Sequence, residues 1–375
     1  MSALRSDIDP DGLLEFSVVF TDRSLNHMSI SFQEVMRDIS RILKTVYGAD
    51  GVAVVPGGGT YAMEAVARQL ATDKKCLVIR NGWFSYRWTQ IFEAGNIPSQ
   101  ASVLKASRVG DGPQAPFAPA AIENVIATIE NEKPAVVFAP HVETSSGIIL
   151  DDAYLRAVGE AARKVEALFV LDCVASGTNW VDIKAQNVDV LITAPQKGWS
   201  GTPCAGFVMM NERALERVSN SQSSSFAADL RKWYEIMQAY EGGAHAYHAT
   251  MPTDGLRSIR DTMIETESYG FEKVRIEQLD LGHKIRTLVE AHGYASVAAE
   301  GFKSPSVVVS YTNEPLIQTG KRFAELGVQI AAGVPLMCDE GEDYMSFRIG
   351  LFGLDKLHDV EGCVVRLEDA LRQIG

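Results

Sequence analysis

From about residue 52 the chain alternates short β-branched runs with segments whose apolar positions recur every three to four residues. That rhythm winds a mostly parallel sheet between layers of helices. Residues 52–55 read as a strand that ends in Pro56-Gly57-Gly58-Gly59. Met63, Val66, Ala67 and Leu70 then fall at i, i+3, i+4 and i+7, which predicts a helix with Glu64 and Arg68 turned from its apolar stripe. Strands are expected at 76–79, 135–139, 168–171, 188–193 and 206–210, with one helix on Ile122, Val125, Ile126 and Ile129 and another leading into residue 168. Between about 219 and 256 the rhythm gives way to a Ser-rich and then a Gly/His-rich stretch, read as the handover to a second domain. Beyond it lie a long amphipathic helix near 271–292 and strand-like runs at 306–311 and 345–350. The chain closes on a helix with Val360, Cys363, Val364, Leu367, Leu371 and Ile374 on one stripe. The expected organisation is an N-terminal segment (1–25), a large α/β domain (26–256) and a smaller α+β domain (257–375).

Composition narrows the class. With 46% hydrophobic and 22% charged residues in 375, there is apolar material for a large core, which excludes a disordered, collagen-like or disulfide-stapled chain. A net charge of −13 argues against nucleic-acid backbone contact, yet leaves room for a local anion pocket. No apolar run approaches the roughly 18 residues needed to span a bilayer, and the first ten residues are polar and acidic, so a cytoplasmic protein without membrane contact is expected. The five cysteines are scattered and form no CxxC pair, so reduced thiols and no metal site are expected.

Ligands of open parallel sheets bind beyond the carboxyl ends of the strands, and four features sit there. The triple glycine precedes a helix, so its backbone N–H groups can approach an anion; Thr60 either caps that helix or adds a hydroxyl to the anion site. Gly57-x-Gly59-x-x-Ala62 also fits a dinucleotide fingerprint, but the next strand ends in Arg80-Asn81 where an acid for the ribose belongs, so only a 2′-phosphate would suit. Asp172 ends an apolar strand, where an unpaired buried carboxylate is costly; it either caps a helix or holds a cation. The segment His141-Val142-Glu143-Thr144-Ser145-Ser146-Gly147 follows another strand. Lys197 follows a third, in a loop of small residues; it is either a solvated loop lysine or, desolvated beside an anion site, an amine that loses its proton more readily and can act as nucleophile and base. A phosphate turn, an acid and an amine on one sheet edge together suit pyridoxal phosphate, which carries a phosphate, a basic ring nitrogen and an aldehyde.

The motifs PGGGTYAMEA (56–65), RNGWFSYR (80–87), HVETSSGI (141–148), LDCVAS (171–176), APQKGWSGTPCAGF (194–207), YHATMPT (247–253) and FRIGLFG (347–353) occur in order. On them the chain resembles the class V, fold-type I aminotransferases, near the alanine–glyoxylate and serine–pyruvate branch. The resemblance implies that Lys197 forms the Schiff base, Asp172 pairs with the pyridine nitrogen, and Gly58, Gly59 and Thr60 cradle the phosphate. It places Phe84 on the cofactor ring, with Trp83 the alternative if the alignment slips by one. It puts Thr144 and Ser145 at cofactor or substrate, Gln196 on the phosphate side, and Arg348 on the substrate carboxylate. Tyr247 and Thr250 match residues that reach the phosphate from the other subunit, which implies a homodimer. Small 2-amino acids as donors, and glyoxylate or pyruvate as acceptor, follow from the same resemblance.

The N-terminal segment departs from the family's Gly-Pro-rich loop, and Arg23 and His27 either contact a second acidic group on the substrate or are an exposed arginine and a helix-capping neighbour. The rival reactions are a PLP lyase of the cysteine desulfurase kind, for which Cys338 lacks the serine-rich setting, and an NADP-dependent oxidoreductase. A non-enzymatic PLP-fold module is disfavoured by the presence of both Lys197 and Arg348. His245 and His248 have metal-like spacing without a third ligand and read as part of the intersubunit loop.

Overall fold

The β-branched runs become strands in the computed structural model, which describes residues 24–374. The segment ahead of residue 24, including Arg23, lies outside the described residues. In chain order the first strands are β1 (Gly51–Pro56), β2 (Lys75–Arg80), β3 (Gln100–Lys105), the short pair β4 (Ser107–Arg108) and β5 (Phe117–Ala118), β6 (Val136–Pro140), β7 (Leu168–Asp172), β8 (Val190–Thr193) and β9 (Ala205–Met210). Seven of them form one sheet in the order β1-β9-β8-β7-β6-β2-β3. Only β9 runs against the rest. The middle strands are buried along their whole length, as a sheet covered on both faces requires.

The covering helices are α1 (Ile30–Tyr47), α2 (Gly59–Leu70), α3 (Trp83–Gly95), α4 (Ile122–Glu132), α5 (Asp152–Lys164), α6 (Glu212–Ser219), α7 (Leu230–Glu241) and α8 (Thr253–Tyr269). Helix α1 starts where the Ser29 hydroxyl accepts from Phe32 N–H, and buries Phe32, Val35, Met36, Ile39 and Leu43 on one stripe. Helix α7 lies within the stretch read from sequence as an irregular handover. Asp229 caps it, and Trp233, Ile236, Met237 and Tyr240 pack it on α1 and β1.

The second body comprises α9 (Phe271–Ala291), β10 (Val307–Tyr311), the short helices α10 (Pro315–Gln318) and α11 (Lys321–Ala324), β11 (Ala331–Ala332), β12 (Ser346–Gly350), the short α12 (Leu354–Leu357) and α13 (Val360–Ile374). Its antiparallel sheet has the order β10-β12-β11. Leu256, Ile259 and Met263 of α8 belong to the core of the large sheet, whereas Val274, Leu281 and Ile285 of α9 begin a separate core with Phe347, Leu367 and Leu371. The two cores meet along the α8–α9 junction, where Tyr269 packs against the second core and Phe271 against the first. Helix α8 also packs along α1. Among the described residues no helix is long and apolar enough to cross a membrane.

Candidate active site

Because β1, β6, β7 and β8 run the same way, their carboxyl ends open on one edge of the sheet, and β12 closes over it from the small domain. A cavity of about 370 Å³ lies between them. Gly59, Thr60, Phe84, Thr144, Asp172, Gln196, Lys197 and Arg348 all line it.

Two helix N-termini face this cavity, and they differ in one respect. Helix α2 begins at Gly58 with no side chain capping it, and a Cβ on Gly58 would meet nothing within 4 Å. Uncapped by any side chain, this helix end presents a partial positive charge. The turn that leads there bends at Gly57, whose φ of +117° suits glycine, and Gly57 N–H is tied to Cys204 O at 2.8 Å.

Helix α3 is closed instead by a carboxylate from the chain itself. Glu143, fully buried, accepts from Phe84 N–H (3.1 Å), Ser85 N–H (2.9 Å) and the Ser85 hydroxyl (2.7 Å). It also accepts from Ser145 N–H (3.1 Å) and the Ser145 hydroxyl (2.8 Å), while Ser145 Oγ accepts Trp83 N–H at 2.8 Å. A Cβ on Gly82 would fall on the Ser145 hydroxyl, so glycine is needed for this close approach. One helix end is thus filled from within and the other is left for an external anion.

Asp172 is the last residue of β7, with Oδ1 accepting Val174 N–H at 2.9 Å. Burial pushes its carboxyl up to about 6; the Val174 bond opposes the shift, nearby Glu143 adds to it, and Arg87 opposes it. Lys197 follows β8 in a tight loop, its Nζ 5.0 Å from the centroid of the Phe352 ring. Burial, and then the guanidinium of Arg348, lower the pKa of its amine. Arg348, on β12, donates from Nε to Ala332 O at 2.8 Å, and its Cζ lies 5.5 Å from the Phe84 ring centroid. Ser200, in the lysine loop, accepts Leu354 N–H at 2.9 Å, which ties that loop to the small domain.

Some sequence-predicted residues lie elsewhere. Ser145 does not line the cavity: it is buried behind the wall with its hydroxyl spent on Glu143 and Trp83, while its neighbour Thr144 faces in. Phe84 rather than Trp83 reaches the cavity; Trp83 packs on Tyr86 at 5.6 Å. Tyr247 and Thr250 sit away from it, beside a second cavity of about 170 Å³ with His27. Their hydroxyls are 3.3 Å apart, and Tyr247 is 61% exposed. His27 stacks on His245 at 6.0 Å within that second region.

Sequence reasoning named the segment holding Glu143 but gave that residue no role, although an acid followed by Thr144, Ser145 and Ser146 just past a strand end has the chemistry of an internal cap. It also passed over Arg87, which lines the cavity and stands three residues after Phe84 on one helix face.

The rival readings fare badly in the fold. Strand β1 is at the sheet edge beside an antiparallel strand, not at a central crossover of parallel strands where dinucleotides bind. Arg80 is 7% exposed and donates to Met337 O and the Thr89 hydroxyl, so it is not free for a 2′-phosphate. Cys338 is buried, bonded to Arg80 O, and its thiol is pushed up to about 12 by burial, the opposite of an activated nucleophile.

Residues 17–299 match the aminotransferase class-V family. The chain is 26% identical over 268 residues to alanine–glyoxylate aminotransferase 1 of Saccharomyces cerevisiae, covering 67% of this chain and 66% of that one. It is 26% identical over 366 residues to 2-aminoethylphosphonate–pyruvate transaminase 1 of Burkholderia lata, covering 94% and 90%. The crystal structure of an alanine–glyoxylate aminotransferase from Nostoc sp. superposes with a TM-score of 0.77 at 21% identity, over 94% of this chain and 89% of that one. With its fold and family in agreement, the chain belongs to the class-V aminotransferases: it is a pyridoxal-phosphate-dependent transaminase of fold type I.

Proposed function

We propose that this transaminase moves the amino group of a small 2-amino acid to glyoxylate or pyruvate in two half-reactions at one shared site. The observation that carries the reading is the meeting of the Lys197 amine, the Asp172 carboxyl and the Arg348 guanidinium in a single cavity beside the uncapped end of α2. The residues fit the cofactor: α2 and Thr60 suit its phosphate, Asp172 its ring nitrogen, Phe84 its ring face and Lys197 its aldehyde. The acceptors are supported by the relatives, one a pyruvate transaminase and one a glyoxylate aminotransferase by name.

When bound, pyridoxal phosphate supplies an aldehyde that condenses with amines and a ring that takes up the electron pair left when Cα–H breaks. Asp172, ionised against a cationic ring nitrogen, holds the proton there. Lys197 with its lowered proton affinity takes the proton from the substrate Cα and returns it one position away. Arg348 presents a planar fork to the substrate α-carboxylate, fixing which bond at Cα stands over the ring; a lysine would offer only a point charge. Phe84, held by the Glu143 cap, keeps water off one ring face. Tyr247 and Thr250, exposed and outside the cavity, are read as completing the phosphate site of a second copy, in a homodimer. The five free cysteines support a reducing, cytoplasmic setting.

Lys197→Ala tests the reading. Transfer from a panel of amino donors to glyoxylate or pyruvate should fall by at least about a thousandfold, and borohydride reduction followed by peptide mass mapping should find the cofactor on Lys197 of the parent and on no residue of the variant. Full activity of the variant, or a borohydride adduct on another lysine, would reject the assignment.

A further inference from the structure

Arg87 is the cavity cation that the proposed chemistry leaves without a task. It lies on α3 three residues after Phe84, and its Cζ is 5.3 Å from that ring's centroid. Its Nη1 donates to the Thr60 hydroxyl at 3.0 Å, at the open end of α2. Among the described residues no carboxylate lies within ion-pair distance of it, although it stands in an acidic chain. Because Glu143 and Ser145 close the first turn of α3, the arginine one turn on is carried by a fixed helix.

Charge balance gives it work. A phosphate monoester carries about −1.5 to −2 near neutral pH, and a helix N-terminus offers roughly +0.5. In the proposed reading the Lys197 amine is committed to the aldehyde, Asp172 is itself an anion, and Arg348 is committed to the substrate carboxylate. The uncompensated charge on the α2 side needs a cation, and Arg87 is the one already in contact with a hydroxyl of the cradle.

We propose that Arg87 is the cationic arm of the phosphate cradle, donating to the cofactor phosphate together with Thr60 and the first-turn N–H groups of α2. This rests on the reading of α2 as the phosphate seat. It predicts that the contribution of Arg87 to cofactor affinity disappears when the ligand has no phosphate.

The experiment titrates the full-length apoenzyme with pyridoxal phosphate and with pyridoxal, following the bound-cofactor absorbance, for the parent, Arg87→Gln and Arg87→Lys. Arg87→Gln keeps a donor for Thr60 and removes the charge. The expected result is a Kd for pyridoxal phosphate raised about tenfold or more, the size of a lost charge-assisted hydrogen bond. The Kd for pyridoxal should stay within about twofold, and Arg87→Lys should recover part of the loss. Equal weakening of both ligands, or no change in either, would overturn the proposal. An unchanged cofactor Kd with a raised KM for substrates bearing a second anionic group would overturn it too, by assigning Arg87 to substrate. If the parent itself bound the two ligands equally, the phosphate seat at α2 would fail first, an outcome distinct from failure of Arg87 alone.

Discussion

Asp172 is the residue at which burial and charge are most directly in conflict. Burial at the end of β7 raises its carboxyl to about 6 even with the Arg87 guanidinium nearby. The cofactor-free chain is therefore favoured at low pH by this group: its contribution is full below the ordinary carboxyl value and is lost as pH rises through about 6. Cofactor binding has the opposite sense. In the proposed pairing of Asp172 with the ring nitrogen, the free carboxyl and the free ring nitrogen each carry a proton below about 6, and one must leave when they meet. Affinity for pyridoxal phosphate should thus fall as pH drops from about 6 toward 4, and Asp172→Asn should remove that slope. Isothermal titration across this range checks it; a slope that survives in the variant would place the titrating group elsewhere. The sequence made Asp172 legible because a polar residue closing an apolar strand stands out. It did not separate Thr144 from Ser145, since facing in or out is set by the Glu143 cap that turns the serine hydroxyl into the wall.

At the scale of elements, the difference between α2 and α3 governs the site. Both helices follow parallel strands and both begin at glycine, but Glu143 fills one terminus and leaves the other for a ligand. Glu143→Ala would strip acceptors from Phe84 N–H and Ser85 N–H in a buried setting. The expected loss is about 2 kcal/mol or more of folding stability, at about 1 kcal/mol or more for each orphaned donor. Urea unfolding of the apo chain reads this, and an unchanged midpoint would show that the cap carries no such load. Strands β1, β2, β6 to β10 and β12 and the α2, α4, α5, α9 and α13 helices were readable because their periodicities are local, whereas β3, α1, α3, α6 and α8 were not read. Helix α7 was not read, although Leu230, Trp233, Ile236, Met237 and Tyr240 follow helical spacing. Its Ser-rich and Gly-rich flanks hid it, and its packing on α1 and β1 is a long-range fact.

At the scale of the whole molecule, an acidic chain gathers Arg87, Lys197 and Arg348 around one cavity between two sheets, the electrostatic setting for anionic substrates. The exposed Tyr247 gives the proposed homodimer a test: chains carrying Lys197→Ala and Tyr247→Ala, mixed and allowed to exchange, should recover activity above the sum of the two parents. One site of the mixed dimer then combines both defects and the other has neither. No recovery, in a preparation shown by light scattering to be dimeric, would remove Tyr247 from the partner's site. By itself the sequence determined most strands of the large sheet and several of the helices between them, the α/β class, and the polar residues at strand ends, because hydrophobic period and turn chemistry act over a few neighbouring residues. Only the tertiary structure decided that Arg348 faces Lys197, that Glu143 closes α3, and that Arg87 reaches Thr60. Each of these depends on contacts between segments far apart in the chain, whose geometry is set by sheet order and helix packing.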